Sequence, residues 1–169
     1  MFKTYKTDAY RSHDPKWSFK PTSGEGASYH GARFNQKGKH ALYLSLSQVG
    51  ALLESQQGFA LKSQPKLLCT YEVDIDKIVD LTDIKVCAHY DIDPTKLSGQ
   101  WIGVDNPYSQ VVAIKLIKLG ANGILVPSFA KGADNCINLV LWQWSDKLPH
   151  KVVVIDDNGA LPKNQDSWR

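Results

Sequence analysis

The sequence predicts an α+β fold: a single domain with small β-sheets and flanking helices. Six or more strand-like segments and two clear helical segments occur within 169 residues, and they do not alternate regularly. This disfavours a doubly wound parallel sheet and fits two small packed sheets better. The length is ordinary for one domain, so we expect a single domain over residues 1–169. The composition, 43% hydrophobic and 22% charged, is typical of a soluble globular protein.

The strands are predicted from short apolar or alternating runs. Residues 41–46 place three leucines on one face, which we take as the core face, and Tyr43 on the other. Further strands are predicted at residues 67–75, 78–81, 123–126, 137–142 and 151–155. A helical turn is predicted at residues 83–89 and an apolar helix at residues 109–119. The tail after Asp156 is predicted to be irregular.

A helix over residues 48–57 is predicted to follow Ser47, a residue type favoured as an N-cap. Helical spacing predicts that its buried stripe is Val49, Leu52, Leu53 and Gln56. Glu54 lies on another row of the helix, next to small residues that leave room for a neighbour. Gly50 inside a helix costs about 1 kcal/mol relative to alanine, so we expect a chain or ligand to approach closely there.

Residues 12–40 are rich in glycine, proline, serine and histidine, and are predicted to form a long loop. The loop also holds four aromatic residues, Trp17, Phe19, Tyr29 and Phe34. This aromatic surface favours folding back onto the body of the protein over disorder. Long ordered loops often carry function, and His30 is the loop's candidate for a ligand contact.

Charge and cysteine usage argue against several classes of protein. The net charge is +3, from 20 basic and 17 acidic residues, without a dense basic tract, so we expect no direct nucleic-acid contact. The three cysteines and five histidines show no metal-ligand spacing, so no metal is expected. Neither a signal peptide nor an apolar run of about 20 residues is present, which predicts a cytoplasmic protein with no membrane span.

The residues with the strongest chemical interest are Arg33, Tyr43 and Glu54. A guanidinium forks onto phosphate or ribose oxygens, and an aromatic ring stacks on a flat cationic ring. A carboxylate stabilises the positive charge that develops when a glycosidic bond breaks. Together they suit NAD⁺. Taken singly, each is equally an ordinary residue: a surface arginine, a strand tyrosine and a solvated helix glutamate.

Ser128 follows a predicted strand and is a candidate for orienting a phosphate or sugar oxygen, or is simply a turn serine. It has no GxSxG context, so it is not predicted to be a hydrolase nucleophile. Neither a GxGxxG nor a P-loop pattern occurs in the sequence.

The chain resembles the RES-domain family, named for its Arg, Glu and Ser. The matching motifs run in family order over nearly the whole sequence: Tyr10-Arg11 and residues 23–27, 31–35, 41–45, 51–54, 123–128 and 138–142. Two departures are small. Phe34 stands where the family more often has Trp, and Ala32 replaces a common glycine.

The resemblance implies a toxin of a bacterial toxin–antitoxin pair that acts on NAD⁺, with an Xre-type antitoxin protein as partner. It implies an ADP-ribosyltransferase-like fold, a split pair of small β-sheets with flanking helices around a cleft. Its catalytic residues map onto Arg33, Tyr43 and Glu54. The residues expected to bind NAD⁺ around them are Arg11, Ser128 and Asn138, with His30 from the loop.

Several functional alternatives stay open at this stage. The family includes members assigned to NAD⁺ breakdown and others assigned to ADP-ribosylation of a target protein, so the acceptor is water, phosphate or a protein side chain. An RNase-type toxin using histidines as acid and base is a second hypothesis. A catalytically silent module that binds a nucleotide or an antitoxin is a third. The sequence does not identify a protein target, the oligomeric state or the stoichiometry with the antitoxin.

Overall fold

A computed structural model describes residues 1–56 and 64–166 of the chain. Its six strands are β1 (Lys3–His13), β2 (Leu42–Ser45), β3 (Leu67–Asp80), β4 (Gly123–Pro127), β5 (Ile137–Leu141) and β6 (His150–Val154). The four α-helices are α1 (Glu25–His30), α2 (Gln48–Ser55), α3 (Ile84–His89) and α4 (Tyr108–Lys118). Among these described helices, none is long and apolar enough to cross a bilayer.

The strands form one sheet in the order β1-β2-β5-β4-β3-β6. A further pairing of β1 with β3 closes five of them into a small barrel, and β6 lies along the other side of β3. The α+β class is therefore confirmed. The expected split pair of separate sheets differs from what is observed, because hydrogen bonds link the described strands into one continuous sheet.

The barrel closes because β3 is long and irregular. Its first part pairs antiparallel with β1, and its last residues, from Ile78 to Asp80, pair parallel with β4. Lys77 lies between these parts with a positive φ of 54°, and the register against β1 shifts between Lys3 and Tyr5. Such an irregularity bends a strand and increases its twist. The separate strands predicted at residues 67–75 and 78–81 are consequently one strand.

Both faces of the sheet are packed. One core cluster, which includes Leu42 and Leu44, collects side chains from all six strands. The other joins the opposite face of β3, β4 and β5 to α3 and α4, through residues such as Val86 and Leu116. The leucine face of β2 is buried, as predicted, but the opposite face is not open, because Tyr43 packs against the second cluster.

Strand β1 and helix α1 were not predicted from the sequence. In β1, Ala9 and His13 are buried, the three residues between them are half-buried, and most of residues 3–8 are polar and exposed, so the apolar signal of the strand is weak. Helix α1 lies within residues 12–40, which were predicted to be loop throughout. Its six residues include a glycine and no residue that is fully buried, and so they give little helical periodicity.

Helix α2 begins where predicted, with the Ser47 hydroxyl accepting a hydrogen bond from the Gly50 amide at 3.0 Å. It ends at Ser55; the last residue of the predicted helix, 57, lies outside the described residues. The predicted buried stripe is wrong: Gly50 and Ala51 are buried, whereas Val49 is 63% exposed and Leu52 38% exposed. The helix packs by its small residues because larger ones would hold it away from the sheet.

Gly50 is the point of closest approach in this packing. A Cβ atom placed there would lie 2.3 Å from the Ser45 hydroxyl oxygen and 2.8 Å from that of Ser47. These are far inside van der Waals contact, so a side chain requires the two serine hydroxyls to rotate, which breaks the Ser47 cap, or α2 to move away from the end of β2. The expectation of a close neighbour at Gly50 is confirmed, and the neighbour is the protein's own chain.

Gly50→Ala is expected to destabilise the protein by about 1–3 kcal/mol, because overpacking outweighs the gain of about 1 kcal/mol in helix propensity. Gly26→Ala is the matched control, since Gly26 lies in α1 and a Cβ added there would meet no atom within 4 Å. The control should be neutral or slightly stabilising. Urea denaturation measures both variants, and a Gly50→Ala protein as stable as the control would contradict this packing.

Candidate active site

The carboxylate of Glu54 lies where three elements meet: α2, the end of β4 and the start of β5. The Ser128 hydroxyl donates a hydrogen bond to Glu54 Oε1 at 2.5 Å, and Asn138 Nδ2 donates to the same oxygen at 2.5 Å. Strand pairing sets this geometry, because Asn138 lies opposite Ser45 of β2 on one side and Val126 of β4 on the other. The sheet register thus brings both donors to the helix.

These contacts fix the direction of the carboxylate. Hydrogen bonds to a charged acceptor contribute about 1.5–3 kcal/mol, more than bonds between neutral groups. Ser128 is itself held, because its oxygen accepts the Ala130 amide at 3.2 Å. Asn138 Oδ1 is buried and has no hydrogen-bond partner within the described part of the chain. An unpaired buried acceptor beside a fixed carboxylate is a polar position that a ligand donor would satisfy.

Tyr43 forms the wall beside Glu54. Its hydroxyl donates to Asn35 Oδ1 at 2.8 Å and accepts the Phe34 amide at 3.0 Å. Burial, reinforced by the Glu54 charge, raises the pKa of Tyr43 well above its ordinary value, although the Phe34 amide and Arg33 oppose that shift. The phenol is therefore neutral at physiological pH and serves as a structural donor, not as a base.

Arg33 lines one of the cavities that Glu54 also lines. One terminal nitrogen donates to the carbonyl oxygens of Leu97 at 3.0 Å and Gly99 at 2.8 Å, and the guanidinium lies 4.8 Å from the centroid of the Phe129 ring. Burial lowers the pKa of Arg33, and the nearby Glu54 carboxylate opposes that shift. An arginine stays protonated at neutral pH under such shifts. The site therefore holds a positioned cation near its carboxylate.

Two cavities flank these residues, and both are lined by Tyr43, Glu54 and Asn138. The larger, which we call the Arg11 cavity, has a volume of about 260 Å³ and is also lined by Arg11. The smaller, the Arg33 cavity, has a volume of about 170 Å³ and is also lined by Arg33. Glu54 therefore faces two hollows, each with its own arginine.

Arg11 projects from β1 and is anchored by backbone oxygens. It donates to the carbonyl of Pro21 at 3.2 Å and to that of Ser23 at 3.0 Å, which ties β1 to the segment before α1. Burial lowers the pKa of Arg11, while the neighbouring Tyr71 opposes the shift. The Tyr71 hydroxyl donates a hydrogen bond to the Pro21 carbonyl oxygen at 2.7 Å, and its oxygen lies 3.0 Å from His13 Nε2. His13 therefore donates to Tyr71 as a neutral ring.

Most of the site residues predicted from the sequence are brought together. Glu54, Ser128 and Asn138 are in direct contact, and Tyr43 and Arg33 line the same cavities. His30 is not brought to them: it is exposed at the end of α1 and is absent from the described residues that line these cavities. Ser128 supports Glu54, and it is not among the residues that line either flanking cavity.

Three contributors were not predicted as site residues: Asn35, Trp101 and Phe129. Asn35 positions the Tyr43 hydroxyl, and the two aromatic residues line the Arg33 cavity. Asn35 and Phe129 lie within or next to a family motif, but their contacts join segments far apart in the chain. Among the described residues, no group of three or more His, Cys, Asp or Glu side chains is arranged to hold a metal ion.

His13 gives the stability of the protein a specific pH dependence. Burial, with the Arg11 and Lys66 charges, lowers the pKa of His13 from 6.5 to about 4. The unfolded chain therefore binds a proton between pH 6.5 and about 4 that the folded protein excludes, so stability falls as pH falls through that window. Urea denaturation at stepped pH should show a smaller loss for His13→Gln than for the wild type. Equal losses would contradict this environment.

Tyr43→Phe tests the hydroxyl separately from the ring. The substitution leaves the Phe34 amide and Asn35 Oδ1 without their partner, and an unsatisfied buried group costs about 1–3 kcal/mol. We expect the free energy of unfolding to fall by that amount in urea denaturation. Tyr5→Phe is the control, because Tyr5 is a partly exposed strand tyrosine whose hydroxyl forms no hydrogen bond with the described residues, 1–56 and 64–166. Equal stability of the two variants would contradict the anchoring role.

The chain matches the RES domain over residues 8–164. Its structure is similar to the MbcT toxin in the crystal structure of the M. tuberculosis MbcT–MbcA toxin–antitoxin complex, with a TM-score of 0.64 and 22% sequence identity. That alignment covers 92% of this chain and 84% of the other, and at this identity it supports the fold. No curated protein matches the sequence. Because the RES match spans nearly the whole chain, this protein belongs to the RES domain family.

Proposed function

We propose that this protein is the toxin of a toxin–antitoxin pair and that it cleaves the nicotinamide–ribose bond of NAD⁺. The observation that carries the proposal is the Glu54 carboxylate, fixed by Ser128 and Asn138 in cavities that also hold Tyr43 and an arginine on each side. Membership in the RES family, whose toxins generally consume NAD⁺, supports the same reaction.

Glu54 acts at the bond that breaks. As the C1′–N bond lengthens, its electron pair moves to the nicotinamide nitrogen and positive charge develops on the ribose. A carboxylate held in place by two hydrogen-bond donors stabilises that charge without having to reorganise at the moment of reaction. The carboxylate also accepts a hydrogen bond from a ribose hydroxyl, which fixes the sugar in the reactive position.

Tyr43 supplies a flat surface for the nicotinamide ring. Its hydroxyl is fixed by Phe34 and Asn35, so the ring has a defined orientation within the cavity wall. A cationic pyridinium over an aromatic ring gains about 0.5–2 kcal/mol. The attraction is lost when the ring becomes neutral nicotinamide, so the stacked product is held less tightly than the substrate.

Arg33 and Arg11 supply the positive charge that a dinucleotide's phosphates require. Each guanidinium is anchored by two backbone carbonyls, which leaves its orientation set before a ligand arrives. Guanidinium groups form paired hydrogen bonds with phosphate oxygens. We assign Arg11 to the pyrophosphate and Arg33 to a ribose or phosphate oxygen next to the reacting sugar.

The second half of the reaction is attack on C1′ by an acceptor oxygen, which loses its proton to solvent. Water as acceptor gives ADP-ribose, inorganic phosphate gives a phosphorylated ADP-ribose, and a protein side chain gives an ADP-ribosylated target. The cavities beside Glu54 are open enough for a small acceptor to enter once nicotinamide has left. Product identification by mass spectrometry, with and without phosphate and cell extract, separates these three outcomes.

The proposed partner is an antitoxin protein. The structurally similar MbcT is a toxin in complex with the antitoxin MbcA. The RES resemblance adds that the partner is of Xre type and blocks the site when bound. We accordingly place the protein in the cytoplasm, where NAD⁺ is present and where an antitoxin made in the same cell restrains it.

Glu54→Gln tests the proposal because it keeps the shape of the side chain and removes its charge. We expect nicotinamide release from NAD⁺ to fall by at least about 10²-fold, the usual effect of losing one electrostatic contact to a transition state. Glu72→Gln is the matched control: Glu72 is an exposed β3 residue that pairs with Lys151 at 2.8 Å, away from the cavities.

The control is expected to keep full activity, and thermal unfolding checks that both variants are folded. Expression without antitoxin should arrest growth and deplete NAD⁺ or modify a protein in cells carrying the wild type or Glu72→Gln. Cells carrying Glu54→Gln should grow. Wild-type activity in a folded Glu54→Gln protein would refute the role given to this carboxylate.

A further inference from the structure

A third cavity, larger than the two beside Glu54, has no role in the reaction outlined above. Its volume is about 370 Å³, and its lining includes Trp17, Lys20, Glu25 and Tyr29, from the segment that leads into α1 and from α1 itself. It adjoins the Arg11 cavity, since Arg11 and Ser12 line both. We call it the Trp17 cavity. The three cavities therefore form a chain, with Arg11 and Glu54 at its two junctions.

Size indicates that a dinucleotide needs this additional space. The cavities next to Glu54 measure about 260 and 170 Å³, and each falls below the range of about 300–1,000 Å³ that holds a drug-sized ligand. Together they come to about 430 Å³, near the lower end of that range, whereas NAD⁺ carries two nucleosides and a pyrophosphate. The pyrophosphate would then lie at Arg11, and the second nucleoside would continue into the Trp17 cavity.

The walls of the Trp17 cavity suit a flat aromatic base. Trp17 is 52% exposed and Tyr29 is 60% exposed, so both rings are accessible to a ligand in the cavity that they line. Trp17 is held by a short 3₁₀ turn that the Asp14 side chain caps, and it packs against Phe19 with ring centroids 6.3 Å apart. Both Trp17 and Tyr29 therefore offer surfaces on which a purine can stack.

Polar groups lie where the rest of a nucleotide would pass. Ser12 Oγ, at the junction with the Arg11 cavity, is buried and has no hydrogen-bond partner in the part of the chain that the structure describes. A phosphate oxygen there would accept hydrogen bonds from the Ser12 hydroxyl and from the Arg11 guanidinium. Lys20 and Glu25 supply a further cation and an acceptor for ribose hydroxyls.

We propose that the Trp17 cavity is the subsite for the adenosine half of NAD⁺. Adenine stacks on Trp17 and Tyr29, and the pyrophosphate crosses the junction at Arg11 and Ser12. The nicotinamide ribose then reaches Glu54. The inference rests on the proposed function for the direction in which the dinucleotide lies, but binding of an adenine nucleotide to this cavity is measurable without any turnover.

The experiment is calorimetric titration of the full-length protein with three probes: ADP-ribose, AMP and nicotinamide mononucleotide. We expect Trp17→Ala and Tyr29→Ala each to weaken ADP-ribose and AMP binding by about ten-fold, in line with the usual effect of one base–aromatic stack. Nicotinamide mononucleotide should bind as in the wild type. Phe2→Ala is the control, since Phe2 is an aromatic residue 42% exposed that lines none of the three cavities.

Steady-state kinetics with NAD⁺ give the second readout. KM should rise by about ten-fold in the Trp17→Ala and Tyr29→Ala variants while kcat stays within about two-fold, because the reacting bond is remote from these rings. Trp17→Phe, which keeps a stacking surface, should recover most of the affinity. Circular dichroism melting confirms that each variant is folded.

The outcomes separate the subsite from the reaction. NAD⁺ turnover with an unchanged KM in the alanine variants overturns the subsite and leaves the reaction standing. AMP binding that depends on Trp17, in a protein that never consumes NAD⁺, supports the subsite and overturns the reaction. Failure of the wild type to bind ADP-ribose or AMP at millimolar concentration overturns the subsite.

Discussion

Two hydrogen bonds that converge on one carboxylate oxygen organise the site. Asn138 reaches Glu54 from β5 and Ser128 from the residue that follows β4, and neither would be near it without the pairing of β5 between β2 and β4. Since one donor lies in the sheet and the other directly follows one of its strands, the carboxylate is held in place without a ligand. Such preorganisation is the largest single source of catalysis in many enzymes.

The small residues of α2 make this convergence sterically feasible. Gly50 and Ala51 bring the first turn of the helix onto the end of β2. Glu54 then lies one turn further along the helix, near the end of β4 and the start of β5. A helix packed by leucines would stand further from Ser128. The exposure of Val49 and Leu52 is the consequence, because these two bulky apolar residues face away from the sheet. The packing of α2 thus places the Glu54 carboxylate near its donors and leaves apolar side chains of the helix exposed.

Many local features of the fold could be predicted from the sequence, and so could several of the residues that line the candidate site. Asn35, Trp101 and Phe129 were not predicted there, and His30 lies elsewhere. The N-cap at Ser47, most strand positions and the grouping of Arg33, Tyr43 and Glu54 follow from residue types, spacing and family motifs. Periodicity distinguishes the faces of α2, but it does not say which face a closed sheet accepts. The small residues are buried because backbone approach, not apolar area, controls that contact.

The pairing of strands that lie far apart in the sequence could not be predicted from local residue patterns. The closure of the barrel joins β1 to β3, from Lys3 opposite Ile78 to His13 opposite Leu67, and nothing in either segment specifies the partner. β1 was missed because its polar side chains obscure the alternation. The Trp17 cavity was hidden for the same reason: Arg11 from β1 and Tyr29 from α1 meet only once the sheet has formed.

The role of Glu54 is decided by a crystal structure with carba-NAD⁺, an analogue whose nicotinamide bond does not break. We expect a ribose hydroxyl within about 3 Å of a Glu54 carboxylate oxygen, close enough for a hydrogen bond. The nicotinamide ring should lie against Tyr43 and the pyrophosphate at Arg11. A ligand whose nicotinamide ribose lies away from Glu54, with none of its atoms within hydrogen-bonding distance of the carboxylate, would contradict that role.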